Sequence, residues 1–207
     1  MEYCTVRCLC GSEDHESGTS VTIDQIEGFT APKTMTPEEL GDTLARLVWE
    51  TFSDFLADGE AVRIADEVGV SIEKGLPSEK MTEEILIFFL WSHTRALQLA
   101  FYGRASEDLL RQGLDALHRA VFDDLAEQGT PRAQLPILEQ RMAARYAEYY
   151  RAAESSDDEV GKTALRYFAR KDLPPASRGP LAALLTARAI QAAKPLTDFL
   201  GDVTLVA

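Results

Sequence analysis

Ile85-Leu86-Ile87-Phe88-Phe89-Leu90-Trp91 is the longest apolar run in the chain, and its reading decides the fold. Ser78 or Thr82 caps the helix that carries it, and Gly103 stops that helix. A helix with no polar face belongs at the centre of a bundle or in an interface. The run is seven residues long, whereas a membrane span needs about 20. The expected place for it is therefore the middle of a helical core, with no membrane partner.

Amphipathic helices surround it in sequence. Upstream, Thr36-Pro37-Glu38-Glu39 combines an N-cap threonine, a proline at the first helical position and a glutamate at the third. Leu40, Leu44, Leu47, Val48, Thr51, Phe52, Phe55 and Leu56 follow at 3.6-residue spacing until Asp58-Gly59. A shorter helix from Glu60 to Val68 ends at Gly69. Downstream, Ser106 caps a helix with Leu110, Leu114, Leu117, Val121 and Leu125 on one face, up to Gly129. Thr130-Pro131 restarts the chain, with Pro136 shifting the true start by up to a turn. Leu138, Met142, Tyr146 and Tyr149 form the next stripe, and Ser155-Ser156-Asp157-Asp158 breaks that helix. The short helix capped there is expected to end in Arg170-Lys171, where basic residues suit the macrodipole. A loop from Asp172 to Gly179 then leads to a last helix opened by Pro180 and kinked or split by Pro195.

The first 30 residues read differently. Tyr3 to Leu9 is rich in strand formers, and Thr19-Ser20-Val21-Thr22-Ile23 is largely β-branched, with a polar glycine-bounded loop between them. The expected architecture is all-α: one bundle domain of six or seven helices over residues 36–207, preceded by a β-hairpin extension over residues 1–30.

Composition excludes several partners. Lys and Arg total 21 against 34 Asp and Glu, a formal net charge of −13 over 207 residues. Such a surface repels phosphate backbones and anionic lipids, which need clustered Lys and Arg. No nucleic acid and no membrane are expected. Met1-Glu2-Tyr3-Cys4 lacks the basic region and apolar stretch of a signal peptide. A secreted disulfide framework would leave one of the three cysteines unpaired, so a cytoplasmic location is expected.

Those cysteines, Cys4, Cys8 and Cys10, all fall in the first ten residues with His15 close behind. Three thiolates and an imidazole make a tetrahedral zinc shell, and zinc is the cofactor this cluster suggests. Strand geometry narrows it, because six residues of strand set Cys4 roughly 20 Å from Cys10. Cys8, Cys10 and His15 are the metal candidates, if the hairpin closes around an ion. On a straight strand all three cysteines share a face and equally read as small buried hydrophobes. Cys8-Leu9-Cys10-Gly11-Ser12 resembles the opening of the SEC-C zinc motif, whose second ligand pair has no cysteine counterpart later in this chain.

His93 and His118 lie on apolar helices. Asp115 and His118 stand at the i, i+3 spacing that shares a helical face, as in carboxylate-bridged bundles, although a di-iron site needs two such motifs with glutamate. Tyr146, Tyr149, Tyr150, Tyr167 and Phe168, with Arg141, Arg145 and Arg151, offer either a pocket for an acidic or planar ligand or a solvated amphipathic face. Leu56-Ala57-Asp58-Gly59 followed by Ile64-Ala65-Asp66-Glu67-Val68-Gly69-Val70-Ser71 resembles the helix-turn-helix of TetR-type repressors. Its recognition segment, Ser71 to Pro77, carries Lys74 as its one basic side chain.

No Gly-x-Gly-x-x-Gly, Walker A, His-Glu-x-x-His or Gly-x-Ser-x-Gly motif is present. The resulting expectation is a non-catalytic cytoplasmic interaction or regulatory protein whose partner is another protein or itself, a homo-oligomer joined through an apolar helical face. The alternative is a metal- or small-ligand-binding bundle, enzymatic or not, that uses His93, Asp115 and His118.

Overall fold

The apolar run sits inside a 23-residue helix, Glu79–Phe101, that is buried on nearly every side. The computed structural model describes residues 34–169 and 173–207. In chain order these form β1 (Thr34–Met35), α1 (Pro37–Ala57), α2 (Glu60–Glu67), β2 (Ile72–Glu73), β3 (Leu76–Pro77) and α3 (Glu79–Phe101). They continue with α4 (Glu107–Glu127), α5 (Leu135–Ser155), α6 (Asp157–Phe168), α7 (Pro175–Gly201) and β4 (Thr204–Leu205). The all-α bundle expected from the apolar periodicity is the fold. The expected hairpin over 1–30, with Cys8, Cys10 and His15, lies outside the described residues, as do Arg170 and Lys171.

Local chemistry accounts for the helix starts. Thr36 closes a capping box: its hydroxyl accepts the Glu39 N–H at 3.3 Å, and its own N–H donates to the Glu39 carboxylate at 2.8 Å. Ser106 and Ser156 cap α4 and α6 by accepting from Leu109 and Glu159 N–H, each at 3.3 Å. At the other end of the bundle Arg104 donates to the carbonyls of Ala100, Leu200, Gly201 and Val203. One guanidinium thus satisfies the last turns of both α3 and α7, where a cation also suits the helix dipoles.

α3 packs against α1, α4, α5, α6 and α7. Its central position follows from its sequence, since any solvent-facing side would expose a large apolar residue. α1 approaches α4 closely at Gly41, where a Cβ would stand 2.5 Å from the Ala116 Cβ. α6 and α7 meet the same way at Gly161, where a Cβ would lie 2.2 Å from the Ala182 carbonyl oxygen.

Three segments depart from expectation. α7 begins at Pro175, not Pro180, and continues unbroken through Pro180 and Pro195 to Gly201. An interior proline costs roughly 3 kcal/mol. Leu181, Leu185, Leu196 and Leu200 are all buried on this helix, and burial of each contributes about 1.5–3 kcal/mol, enough to hold it together. The end of the domain is not helical: β4 pairs in parallel with β1, Thr34 opposite Thr204 and Met35 opposite Leu205. The segment resembling a repressor recognition helix is instead the β2–β3 hairpin. Its two-residue turn, Lys74-Gly75, has both φ angles positive (53° and 80°), the geometry of a type I′ turn.

The α6–α7 crossing gives a direct test. Gly161→Ala forces the two helices apart and should lower Tm by roughly 2–10 °C. Gly179→Ala, where a Cβ meets nothing within 4 Å, should leave Tm unchanged or raise it slightly. Thermal melts followed by circular dichroism check both.

Candidate functional site

Among the described residues, polar or exposed apolar side chains come together at the histidine seams, at a buried ion pair and at the face between α3 and α7.

His93 lies on α3, buried against α1. Its Nδ1 stands 2.8 Å from the Phe89 carbonyl, which can only accept, so Nδ1 carries the proton. Nε2 is left as an acceptor 3.5 Å from the Thr51 hydroxyl, which itself donates to the Leu47 carbonyl at 2.8 Å. Burial pulls the imidazole pKa down to about 4, although the bond to Phe89 opposes this. The ring is neutral at pH 7.

His118 repeats the arrangement on α4. Nδ1 donates to the Leu114 carbonyl at 2.7 Å, and Nε2 accepts from the Tyr146 hydroxyl of α5 at 3.1 Å. The Thr94 hydroxyl of α3 lies 3.3 Å from the Tyr146 oxygen, completing a chain across three helices. Burial lowers the His118 pKa, with the Leu114 bond and the charges of Asp115 and Glu139 opposing, and burial raises that of Tyr146. Both groups are therefore held uncharged, which suits cross-linking of helices more than proton transfer. Asp115 is exposed one turn from His118 and has no bond to it among the described residues. His93 faces Thr51 while His118 faces Tyr146, so Asp115, His118 and His93 are not assembled around a common ligand. Among the described residues no three or more His, Cys, Asp or Glu side chains gather as a metal shell.

The second place is a carboxylate inside the core. Glu84 is fully buried on α3, and Arg145 of α5 grips it with Nε and an Nη, both at 2.8 Å. The guanidinium also lies 3.6 Å from the ring centre of Tyr167 on α6. Bonding to Glu84 raises the arginine pKa, outweighing the effect of burial. The Arg145–tyrosine cluster thus receives both an acidic and a planar partner from the chain itself. Arg141 pairs alongside with Glu83.

The third place is a hollow of about 350 Å³ between α3 and α7, bordered by Trp91, Arg95, Leu99, Ile190, Lys194 and Asp198, among others. Leu99 is 60% exposed and Ile190 46% exposed, and Tyr102, one turn beyond Leu99, is 86% exposed. Trp91 and Leu99 come from one helix, Ile190 from the other, and the two helices run in the same direction. None of these surface positions stands out in sequence, because single apolar residues on a helix exterior are ordinary. Only the juxtaposition of α3 with α7 groups them.

The chain matches no known family model, no curated protein and no solved structure.

Two outcomes follow from the buried groups. Arg145→Met strands a buried carboxylate and should cost about 3–5 kcal/mol in urea unfolding, whereas combining it with Glu84→Leu should recover most of the loss. A double-mutant cycle measures this. His93 binds protons in the unfolded chain at an ordinary pKa of 6.5 but in the folded one only near 4. Its contribution to stability is complete above 6.5 and is lost as the pH falls toward 4, roughly 3 kcal/mol in total. The decline in unfolding free energy between pH 7 and 5 should be shallower in His93→Gln than in the wild type.

Proposed function

We propose that this chain is a non-catalytic helical interaction protein that pairs with a second copy of itself through the α3–α7 face. The observation that carries this reading is that Leu99 of α3 and Ile190 of α7, each a large apolar side chain left in water, border the same hollow. Isolated exposed apolar residues need no explanation, but a cluster rimmed by polar groups marks an association surface.

The charges on the same seam suit a copy of the chain. Lys194 and Asp198 both border the hollow, one turn apart on α7. A two-fold axis through this face sets Lys194 of one copy against Asp198 of the other, and Asp198 against Lys194. Such self-complementarity is what an isologous interface requires. A net charge of −13 on each copy otherwise disfavours pairing, so the axis must pass where both signs are present.

Support for a non-catalytic role comes from the interior. His93, His118 and Tyr146 are hydrogen-bonded within the bundle and held uncharged near neutrality by burial. No helix among the described residues is long and apolar enough to cross a membrane. The proposed setting is the cytoplasm, where Cys4, Cys8 and Cys10 remain reduced.

Sedimentation equilibrium tests the reading. The wild-type chain should show a concentration-dependent approach to twice the monomer mass. Leu99→Glu with Ile190→Glu should weaken self-association by roughly thirtyfold or more with the circular dichroism spectrum unchanged. A wild-type chain that stays monomeric at high concentration would overturn it.

A further inference from the structure

A second cleft lies along α6 and the first half of α7, with a volume of about 860 Å³. Its floor is aliphatic: Leu165 and Ala169 from the α6 side, Leu173 from the connection, Ala182 and Ala183 from α7. Its rim carries Lys162, Arg166 and Arg178, with Asp158 as the one acidic lining residue among those described. In a chain of net charge −13, this is a local reversal of sign over an apolar trough.

We propose that the α6–α7 cleft binds a single long-chain fatty carboxylate, its alkyl chain along the Leu165–Ala183 floor and its carboxylate at Lys162 and Arg166. The chemistry of the lining selects this class. Among the described residues no aromatic side chain borders the cleft, so a nucleobase or other planar ligand has nothing there to stack on, whereas an alkyl chain needs only aliphatic walls. The rim supplies ammonium and guanidinium donors, which form the stronger, charge-assisted hydrogen bonds to a carboxylate.

Those donors have exchangeable partners. Lys162 bonds Glu159 at 2.6 Å, and Arg166 reaches Glu148 at 3.5 Å, both pairs being largely solvent-exposed. Exposed pairs of this kind contribute little to stability, so an incoming carboxylate displaces them at small cost. The Arg178 Nε donates to the Leu173 carbonyl at 2.6 Å and so fixes Leu173, which lines the cleft. The close crossing at Gly161 keeps α6 against α7 beneath the cleft and fixes its depth.

A free amphiphile fits better than a lipid surface. The overall negative charge repels anionic bilayers, and the described helices offer no span. The ligand must therefore come to the cleft as a monomer.

Titration of the full-length chain with cis-parinarate, below its micellar concentration, tests the site by fluorescence. Saturable binding at one equivalent is expected, displaced by oleate and not by oleyl alcohol. Lys162→Gln with Arg166→Gln should weaken binding about tenfold or more, as loss of charge-assisted contacts does. Ala183→Phe, at an exposed lining position, should fill the trough and abolish binding. Both variants should keep the wild-type melting temperature, and Leu99→Glu should bind as wild type does. The proposal is overturned by non-saturable binding, by equal displacement with oleyl alcohol, or by folded variants that bind normally. Co-flotation with phosphatidylglycerol vesicles, lost in the same rim variants, would also overturn it in favour of a membrane surface.

Discussion

Everything in this bundle is arranged around a helix whose middle has no side to show to water. From Glu84 to Leu97, α3 buries every side chain except that of Arg95, which is half-buried. Removing that much apolar surface from solvent is the dominant favourable term available to the chain. It can be realised only if neighbours cover α3 from all directions. α1, α5, α6 and α7 close around it, while α4 covers α1 more than α3 itself. The close glycine crossings at Gly41 and Gly161 let the outer helices form paired layers without leaving gaps against the centre.

Total burial of a helix sets a problem for each polar group on it, and the structure solves these locally. Ser92 and His93 return their donors to carbonyls one turn back, at Phe88 and Phe89. Thr94 reaches the Tyr146 hydroxyl. Glu84 cannot be satisfied by its own helix, so α5 must present Arg145 in one register, with Tyr167 of α6 beneath the guanidinium. A buried ion pair of this kind adds little net stability but penalises misplacement of either helix. It works as a register pin for α3, α5 and α6. Two donors escape this accounting: Trp91 Nε1 and the Tyr149 hydroxyl are buried with no hydrogen-bond partner among the described residues. Their rings pack together at 5.2 Å, so aromatic packing is gained where hydrogen bonding is lost.

What the sequence made legible follows from the range of the interactions involved. The caps at Thr36, Ser106 and Ser156 act within three residues, and their helices begin where those residues stand. The all-apolar run needs no partner to declare itself central. α7 was harder to read, because Pro180 and Pro195 act locally against a helix that the burial of Leu181, Leu185, Leu196 and Leu200 sustains from outside. The β1–β4 pair is two residues long on each side, with Met35 opposite Leu205, so neither strand carries a pattern alone. Glu84 looks like an acidic residue in the first turns of a helix; its partner lies 61 positions away. His93 and His118 show the converse. Their residue type suggests ligation, yet their nearest acceptors are their own helix carbonyls.

α7 differs from α3 in how its sides are used. One side covers α3 and another meets α6, which leaves two boundaries facing solvent. At the α3 boundary the chain places Leu99, Ile190, Lys194 and Asp198. At the α6 boundary it places an aliphatic trough with a basic rim. α3 fills the interior of the described bundle, and the two hollows lie at the seams where α7 meets its neighbours. A helix that must pack on two partners cannot be uniformly polar outside its contacts, since residues at each seam serve both the core and the surface. Leu99 and Ile190 are exposed at one such seam, whereas Ile72 on β2 and Ile137 on α5 are exposed away from α7, so the proposed pairing rests on the grouping of side chains at a seam and not on exposure alone.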